Sequence, residues 1–103
     1  MSKRTPMLLL AASLFVAGAA RAQDRAAITA GGEIYAEKCA DCHGPRMAAT
    51  GAGADLRELR ADDREKFEKT IKEGRGQMPS WDGQLTREQI ELLWAYQRSR
   101  AND

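Results

Sequence analysis

The 103-residue chain has few of the residue types that bind metals or cofactors and few of those that favour β-strands. It contains one histidine and two cysteines, and aromatic residues make up only 6% of it. The histidine and the two cysteines give three potential ligands, one fewer than a structural zinc site takes, since such a site has four ligands, usually cysteine or histidine. β-Branched residues are scarce and no window alternates as a strand would, so the sequence favours an all-α fold. The length allows one small domain.

Large apolar side chains are also in short supply. Beyond residue 22 they are thinly spread, and valine does not occur there at all. Domains of this size are marginally stable even with good cores, and often need a disulfide, a metal or another staple. We therefore expect something other than side chains to fill the middle of this domain.

The charge balance of 16 basic and 15 acidic residues looks neutral but is unevenly distributed. Residues 1–22 carry Lys3, Arg4 and Arg21 and no acid, so the remainder has two more acidic than basic residues. A strongly basic nucleic-acid-binding protein is therefore not predicted.

The same N-terminal residues have the form of a secretory leader. Two basic residues precede an uncharged, mostly apolar run at 7–20, and the small-x-small triplet at 20–22 predicts cleavage before Gln23. The alternative, an uncleaved membrane anchor, would need roughly 20 apolar residues, more than this run supplies. We predict a cleaved signal peptide over residues 1–22 and a secreted, periplasmic domain over 23–103.

Three segments of that domain are predicted to be helical. The first covers 31–40. The second begins at Asp62, which with Glu65 has the spacing of a capping box, and ends at Gly74, a residue type typical of helix C-termini. The apolar residues expected to face the core in these two helices are Ile34, Tyr35, Phe67 and Ile71.

The third helix begins at Thr86, where Thr86 and Gln89 form another capping box, and runs to about Ser99. Its apolar stripe consists of Ile90, Leu93 and Trp94, widened by Leu92 and Tyr96. Two long irregular connections separate the helices, at 44–61 and 75–85. Connections of this length need a reason to be ordered, and a large ligand wrapped by them would be one.

The chemistry-bearing motif is Cys39-Ala40-Asp41-Cys42-His43, a C-x-x-C-H sequence typical of covalent haem attachment. Two thiols separated by two residues can reach both vinyl groups of one haem, and the following imidazole can then bind the iron from the proximal side. The motif uses both cysteines and the only histidine of the chain.

Three other interpretations of the motif are weaker. A thioredoxin-like redox pair would need a βαβ setting, which the sequence does not offer. A zinc site is one ligand short. A plain structural disulfide suits an oxidising compartment but leaves His43 without a role.

The sixth iron ligand cannot be a second histidine, so the candidates are the two methionines beyond the leader. Met47 follows His43 too closely to pass easily round the edge of the haem. Met78 lies far downstream, before Pro79, in a glycine-containing loop that Trp81 could anchor. The alternative use of Met78 is to fill a gap in the core, which is the commoner role of methionine.

With these motifs, residues 31–98 resemble the small bacterial class I c-type cytochromes, which are monohaem electron carriers. The residues that match the family's pattern are Gly31, Tyr35, Cys39, Cys42, His43, Met78, Leu93 and Tyr96. The resemblance implies the all-α cytochrome c fold, with about three main helices and irregular loops wrapped around one covalently bound haem. It also implies that Gly31 lets the N-terminal helix cross closely over the C-terminal one.

One position departs from the family's pattern. Many relatives have a proline whose carbonyl accepts the other N–H of the proximal histidine, and Ala54 stands there in this chain, two residues before Leu56. A carbonyl is still available, but the loop loses a rigid φ. Leu56 is expected to contact the haem.

The resemblance implies a soluble carrier that cycles between ferric and ferrous haem c, with Cys39 and Cys42 attached to the haem and His43 and Met78 as axial ligands. A weaker likeness to carriers that serve quinoprotein dehydrogenases suggests a periplasmic dehydrogenase as donor. A terminal oxidase or another cytochrome would be the acceptor. We expect a monomer with no nucleic-acid partner and no stable membrane insertion after cleavage.

Two other functions compete with that of a carrier. A small peroxidase-like haem enzyme or a gas sensor needs an open or labile distal site, where Arg75 could act as a polar group. Rapid binding of CO by the ferrous protein would favour it. A haem-free interaction module would have to fold without haem, which the thin core argues against.

Overall fold

The computed structural model describes residues 5–49, 51 and 53–101, with side chains described from residue 18 onward. Within this part there are helices and irregular segments but no strand, which confirms the all-α prediction. The four α-helices are α1 (Thr5–Lys38), α2 (Ala40–His43), α3 (Arg64–Glu73) and α4 (Arg87–Arg100). Three short 3₁₀ turns cover Pro45–Met47, Leu56–Glu58 and Ala61–Asp63.

Helix α1 is much longer than the predicted 31–40 segment, because helical backbone continues back to Thr5. The side chains of residues 18–26 are exposed, and burial begins at Ala27. A helix of 34 residues is about 50 Å long, and the chain measures 67 Å along its longest axis against 29 and 24 Å along the others. The N-terminal part of α1 therefore projects from the body of the domain.

Two of the three basic residues of the predicted leader, Lys3 and Arg4, lie outside the described residues. Across the part of the chain that the structure does describe, none of the helices combines the length and apolar character needed to cross a membrane.

Helices α1 and α4 cross in close contact at Gly31. A Cβ atom added there would lie 1.9 Å from the Leu92 carbonyl oxygen and 3.0 Å from the Cβ of Tyr96. One turn further along α1, the rings of Tyr35 and Tyr96 lie with their centroids 5.3 Å apart. The close crossing expected from the family resemblance is present, and only glycine fits at its centre.

The predicted capping box at the start of α3 is wrong. A 3₁₀ turn over Ala61–Asp63 precedes the helix, so α3 begins at Arg64 and its N-cap is Asp63 rather than Asp62. The Asp63 carboxylate accepts the Arg60 backbone N–H at 2.8 Å. Asp62 and Asp63 were both available as N-cap residues, and the preceding 3₁₀ turn places Asp63 at that position.

The end of α3 and the start of α4 agree with the sequence. Gly74 ends α3 with a φ of 78°, and its N–H donates to the Thr70 carbonyl. At the start of α4, the Thr86 hydroxyl accepts the Gln89 N–H at 3.1 Å, and the Gln89 side chain accepts the Thr86 N–H at 2.8 Å. This reciprocal pair is the predicted capping box.

The core lies where α1, α3 and α4 meet. Phe67 of α3 packs against Trp94 of α4, with ring centroids 5.1 Å apart. The buried apolar residues are Tyr35, Met47, Phe67, Ile71, Leu85, Ile90, Leu93, Trp94 and Tyr96. Every predicted core residue is among them except Ile34 and Leu92, which are half-buried.

The helix crossing generates a stability prediction. Gly31→Ala should lower the free energy of unfolding by about 2 kcal/mol, because overpacking costs about 1–3 kcal/mol and the Leu92 backbone has little freedom to move. Alanine's better helix propensity, worth about 1 kcal/mol, offsets only part of this loss. Denaturant unfolding of the haem-loaded protein measures the change.

Gly32→Ala is the matched control. Its added Cβ would meet only the Tyr96 ring, at 3.1 Å, and a ring edge can shift. We expect a clearly smaller loss of stability. Equal losses for the two variants would contradict the close backbone crossing at Gly31.

Candidate haem site

A single helical turn brings the motif residues together. Helix α1 ends at Lys38, and the Cys39 N–H still donates to the Tyr35 carbonyl at 2.9 Å. Helix α2 then turns back at once, since the N–H groups of Cys42 and His43 both donate to the Cys39 carbonyl, at 3.3 and 3.0 Å. Both thiols and the imidazole consequently line the same cavity.

The cavity has a volume of about 460 Å³ and a mainly apolar lining. Its size is within the range of about 300–1,000 Å³ typical of ligand and cofactor sites. The five residues expected to surround a haem, Cys39, Cys42, His43, Leu56 and Met78, all line it. Its charged lining residues are all cationic: Lys38, Lys66 and Arg75.

The His43 ring is oriented by a hydrogen bond to the backbone. Its Nδ1 lies 2.9 Å from the Ala54 carbonyl oxygen. A carbonyl can only accept, so Nδ1 carries the proton and the lone pair is on Nε2. Ala54 therefore supplies the carbonyl that the family resemblance left unassigned, and Nε2 is the nitrogen able to bind a metal.

Gly53 lets the carbonyl segment approach the histidine. A Cβ atom there would lie 2.9 Å from His43 Nδ1 and 2.9 Å from the Cys42 carbonyl oxygen. The sequence alone showed only a glycine in an alanine-rich loop, with nothing to distinguish it from Gly51, around which a Cβ would meet no atom within 4 Å.

Tyr35 ties α1 to the segment that follows the motif. Its side chain is 1% exposed, and its hydroxyl donates to the Gly44 carbonyl at 2.6 Å. Burial, reinforced by the nearby Cys39, raises the pKa of Tyr35 to about 12. The hydroxyl therefore remains a donor throughout the physiological pH range, a role that the sequence pattern did not indicate.

The two cysteines differ in their surroundings. Cys39 is half-buried, and this burial, followed by the influence of Cys42, raises the pKa of its thiol to about 11. Cys42 is exposed. Before attachment, Cys39 is thus present as the neutral thiol at neutral pH, and both cysteines line the cavity.

Met78 reaches the cavity from a separate tight turn. The backbones of Arg75 and Met78 exchange two hydrogen bonds of 3.0 and 2.9 Å around Gly76, whose φ is 58°. Gly74 packs so closely that a Cβ there would lie 2.7 Å from the Met78 carbonyl oxygen. These contacts give the Met78 backbone a defined position beside the cavity.

Trp81 anchors the segment that follows Met78, as expected. Its backbone N–H donates to the Ile71 carbonyl at 2.9 Å, and its half-buried side chain packs against the core. The Ser80 hydroxyl also donates to the Lys72 carbonyl. The Met78 loop is therefore attached to the C-terminal end of α3 by backbone and side-chain bonds.

Met47 also lines the cavity, which the sequence argument did not anticipate. It is 1% exposed and has a positive φ of 66°, next to Arg46 with a φ of 54°. Positive φ values are uncommon for residues other than glycine. Met47 belongs to the turn immediately after His43, whereas Met78 lies in the loop that follows the C-terminal end of α3.

The donor set suits a haem better than a bare metal ion. Among the residues that the structure describes, no group of three or more His, Cys, Asp or Glu side chains could hold a metal ion. One imidazole and a thioether at a large apolar cavity fit an iron whose other four ligands come from a porphyrin. Ligation by His43 and Met78 remains a prediction.

Comparison with known proteins identifies relatives of the chain. The family model described as "Cytochrome C oxidase, cbb3-type, subunit III", a cytochrome c model, matches residues 26–96. The matched segment begins where burial begins in α1 and includes the motif, the cavity and most of α4.

Three similar proteins carry haem-related names. The quinohemoprotein alcohol dehydrogenase ADH-IIG of Pseudomonas putida is 34% identical over 82% of this chain and 12% of its own length. Its relative ADH IIB, from the same organism, is 33% identical over 71% of the chain and 11% of its own length. Cytochrome c6 of Euglena gracilis is 26% identical over 69% of the chain and 90% of its own length.

The present chain thus spans only about a tenth of the two dehydrogenases but nearly all of the small cytochrome. No solved structure matches it significantly.

The close packing at Gly53 can be tested. Gly53→Ala should displace the His43 ring or the Ala54 carbonyl, lowering the stability of the haem-loaded protein by about 1–3 kcal/mol, the usual cost of overpacking. It should also alter the absorption spectrum of the ferric haem. Gly51→Ala adds the same methyl group to the same loop without a close neighbour, and should leave the spectrum unchanged. Because Gly51 has a φ of 104°, alanine is strained there, and this variant is a control for the spectrum only. A normal spectrum for Gly53→Ala would contradict the close approach of Gly53 to the His43 ring.

Proposed function

The chain belongs to the cytochrome c family, and from that membership we propose that it is a periplasmic electron carrier with His43 and Met78 as axial ligands. Membership implies haem c with iron, bound covalently as is typical of the family, and supports haem-based electron transfer. The observation that carries the finer proposal is the shared cavity. Both motif thiols, an imidazole with its Nε2 lone pair available and the Met78 thioether all line it.

A haem held by Cys39, Cys42, His43 and Met78 would supply one-electron transfer between the ferric and ferrous states of its iron. The protein's own residues prepare the site for that exchange. The Ala54 carbonyl orients the His43 ring, and the apolar lining limits the access of water. Methionine ligation raises the reduction potential, which suits a carrier near the oxidising end of a chain.

A small haem enzyme is the alternative, and one observation favours it. Arg75 lines the cavity and is hydrogen-bonded through its backbone to Met78, so a polar side chain is present near the proposed distal ligand. Peroxidase-like chemistry would require Met78 to leave the iron. The bonds that fasten the Met78 turn argue for a ligand that stays bound.

The partners are proposed from the relatives. Two of them are named as quinohemoprotein alcohol dehydrogenases, and the chain matches a small part of each. We propose a dehydrogenase, of the quinoprotein kind, as the electron donor, and a terminal oxidase or another cytochrome as the acceptor. The cationic side chains of Lys38, Lys66 and Arg75 at the cavity would contribute to the salt dependence of docking.

Export to the periplasm rests on the leader pattern, and the described leader side chains at 18–22 support it, since they are exposed and their removal takes no side chain from the core. We predict that the purified mature protein begins at Gln23, as measured by intact mass. Ala22→Arg should block cleavage and leave the longer chain associated with the membrane fraction. A full-length wild-type mass after export would contradict the proposed cleavage.

Met78 ligation is tested with the chain's other cavity methionine as control. Met78→Ala should abolish the weak methionine–iron charge-transfer band of the ferric protein and allow the ferrous protein to bind CO rapidly, because the sixth position becomes free. Met47→Leu, which conserves volume, should retain the band. Loss of the band in Met47→Leu but not in Met78→Ala would reverse the assignment, and rapid CO binding by wild type would favour the enzyme.

A further inference from the structure

Gln97 is the only buried polar residue among the described side chains, and it is 0% exposed. It lies on α4, one turn after Leu93, which lines the cavity. A buried amide is tolerated when its hydrogen bonds are satisfied, and the bonds it makes show what it holds.

The bonds that the Gln97 amide nitrogen donates are directed at one short segment, while the side-chain oxygen accepts from Arg98 Nη1 at 3.4 Å. Its amide nitrogen donates to the Leu56 carbonyl at 2.7 Å and to the Leu59 carbonyl at 3.2 Å. Both partners are acceptors only, which assigns the NH₂ group to this side of the amide. Arg98 adds a third bond, from Nη1 to the Leu59 carbonyl at 3.0 Å.

That segment is internally rigid. Leu56–Glu58 forms a 3₁₀ turn, and the Asp55 carboxylate before it accepts the Arg57 backbone N–H at 3.0 Å. The same carboxylate accepts two side-chain bonds from Arg57, at 2.9 and 2.7 Å. Movement at Leu56 would therefore be transmitted to the residues immediately before it.

The residue at the other end of this segment is Ala54, whose carbonyl accepts the His43 Nδ1–H at 2.9 Å. Alanine lacks the fixed φ that proline would supply at this position, so contacts elsewhere in the segment have more influence on the carbonyl's direction. Gln97 supplies two such contacts from a helix that is itself packed against α1.

We infer that Gln97 is a positioning residue for the proximal ligand: it holds the Ala54–Leu59 segment so that the Ala54 carbonyl stays bonded to His43, and so sets the reduction potential of the iron. This inference rests on the proposed function. A hydrogen bond to Nδ1–H makes the imidazole a more basic ligand, which stabilises ferric iron. Weakening that bond should therefore raise the reduction potential.

The main test variant is Gln97→Met, which keeps an unbranched side chain of similar length and removes the donor. In the haem-loaded protein we expect the His43 Nδ1–H, followed by NMR in the ferrous state, to exchange with solvent about two to ten times faster, the range given by one weakened hydrogen bond. We also expect a higher reduction potential.

Thr86→Ala is the control for a merely structural effect. It removes the cap of the same helix, far along α4 from Gln97, and should lower stability while leaving both the exchange rate and the potential unchanged. If Gln97 only sealed the cavity, Gln97→Met would admit water and lower the potential instead. A lowered or unchanged potential, or an unchanged exchange rate, overturns the inference.

Arg98→Ala is a second variant that tests the same inference if the Gln97→Met protein fails to take up haem. It removes the Arg98 bonds to the Leu59 carbonyl and to the Gln97 side-chain oxygen but leaves the Gln97 amide nitrogen bonded to Leu56 and Leu59, so it should shift both measurements in the same direction by less. No shift would count against the inference. The exchange measurement does not require Met78 to be the sixth ligand, so a missing methionine–iron band in wild type would refute the proposed ligation without deciding the role of Gln97.

Discussion

The contact between Gly31 and the Leu92 carbonyl is the constraint on which the rest of the structure depends. It fixes where α1 crosses α4. From this point α1 continues for two turns, and Cys39 follows directly after its last residue. The same crossing positions the face of α4 that carries Leu93 toward the cavity. One close approach of two backbones, at Gly31, therefore positions both the motif and α4 along the cavity. A residue with a side chain at position 31 would not fit this approach.

Local patterns in the sequence were sufficient to predict the features that depend on neighbouring residues. The Thr86–Gln89 capping box and the stop at Gly74 are decided within one helical turn, and both are present. The choice of Met78 over Met47 as the ligand used chain separation and the loop residues Pro79 and Trp81, and it stays a prediction. Where several acids compete, as before α3, local spacing was not enough, because the preceding 3₁₀ turn decides which of them becomes the cap.

The parts that the sequence could not predict are contacts between distant segments. The family resemblance left open whether the Ala54 carbonyl meets His43, because the usual proline is missing there, and nothing near Gln97 indicates its bonds to Leu56 and Leu59. Burial of Met47 in a turn with positive φ is also a tertiary effect, since an isolated turn would favour glycine there. These features require knowing how the loop at 53–59 is packed between α2 and α4.

The thin core and the cavity are two aspects of the same arrangement. Phe67, Ile71 and Leu93 are core residues and also line the cavity, so their side chains are shared between helix packing and the ligand site. An apolar cavity of about 460 Å³ at the centre of so small a domain is costly when filled only by water. A haem attached there through two thioethers would stay on the chain when the protein unfolds, but only folding would remove its apolar faces and the cavity lining from water, which stabilises the folded state. Stability and electron transfer would then depend on the same interaction, which explains why a chain with so few large apolar residues can form a folded domain.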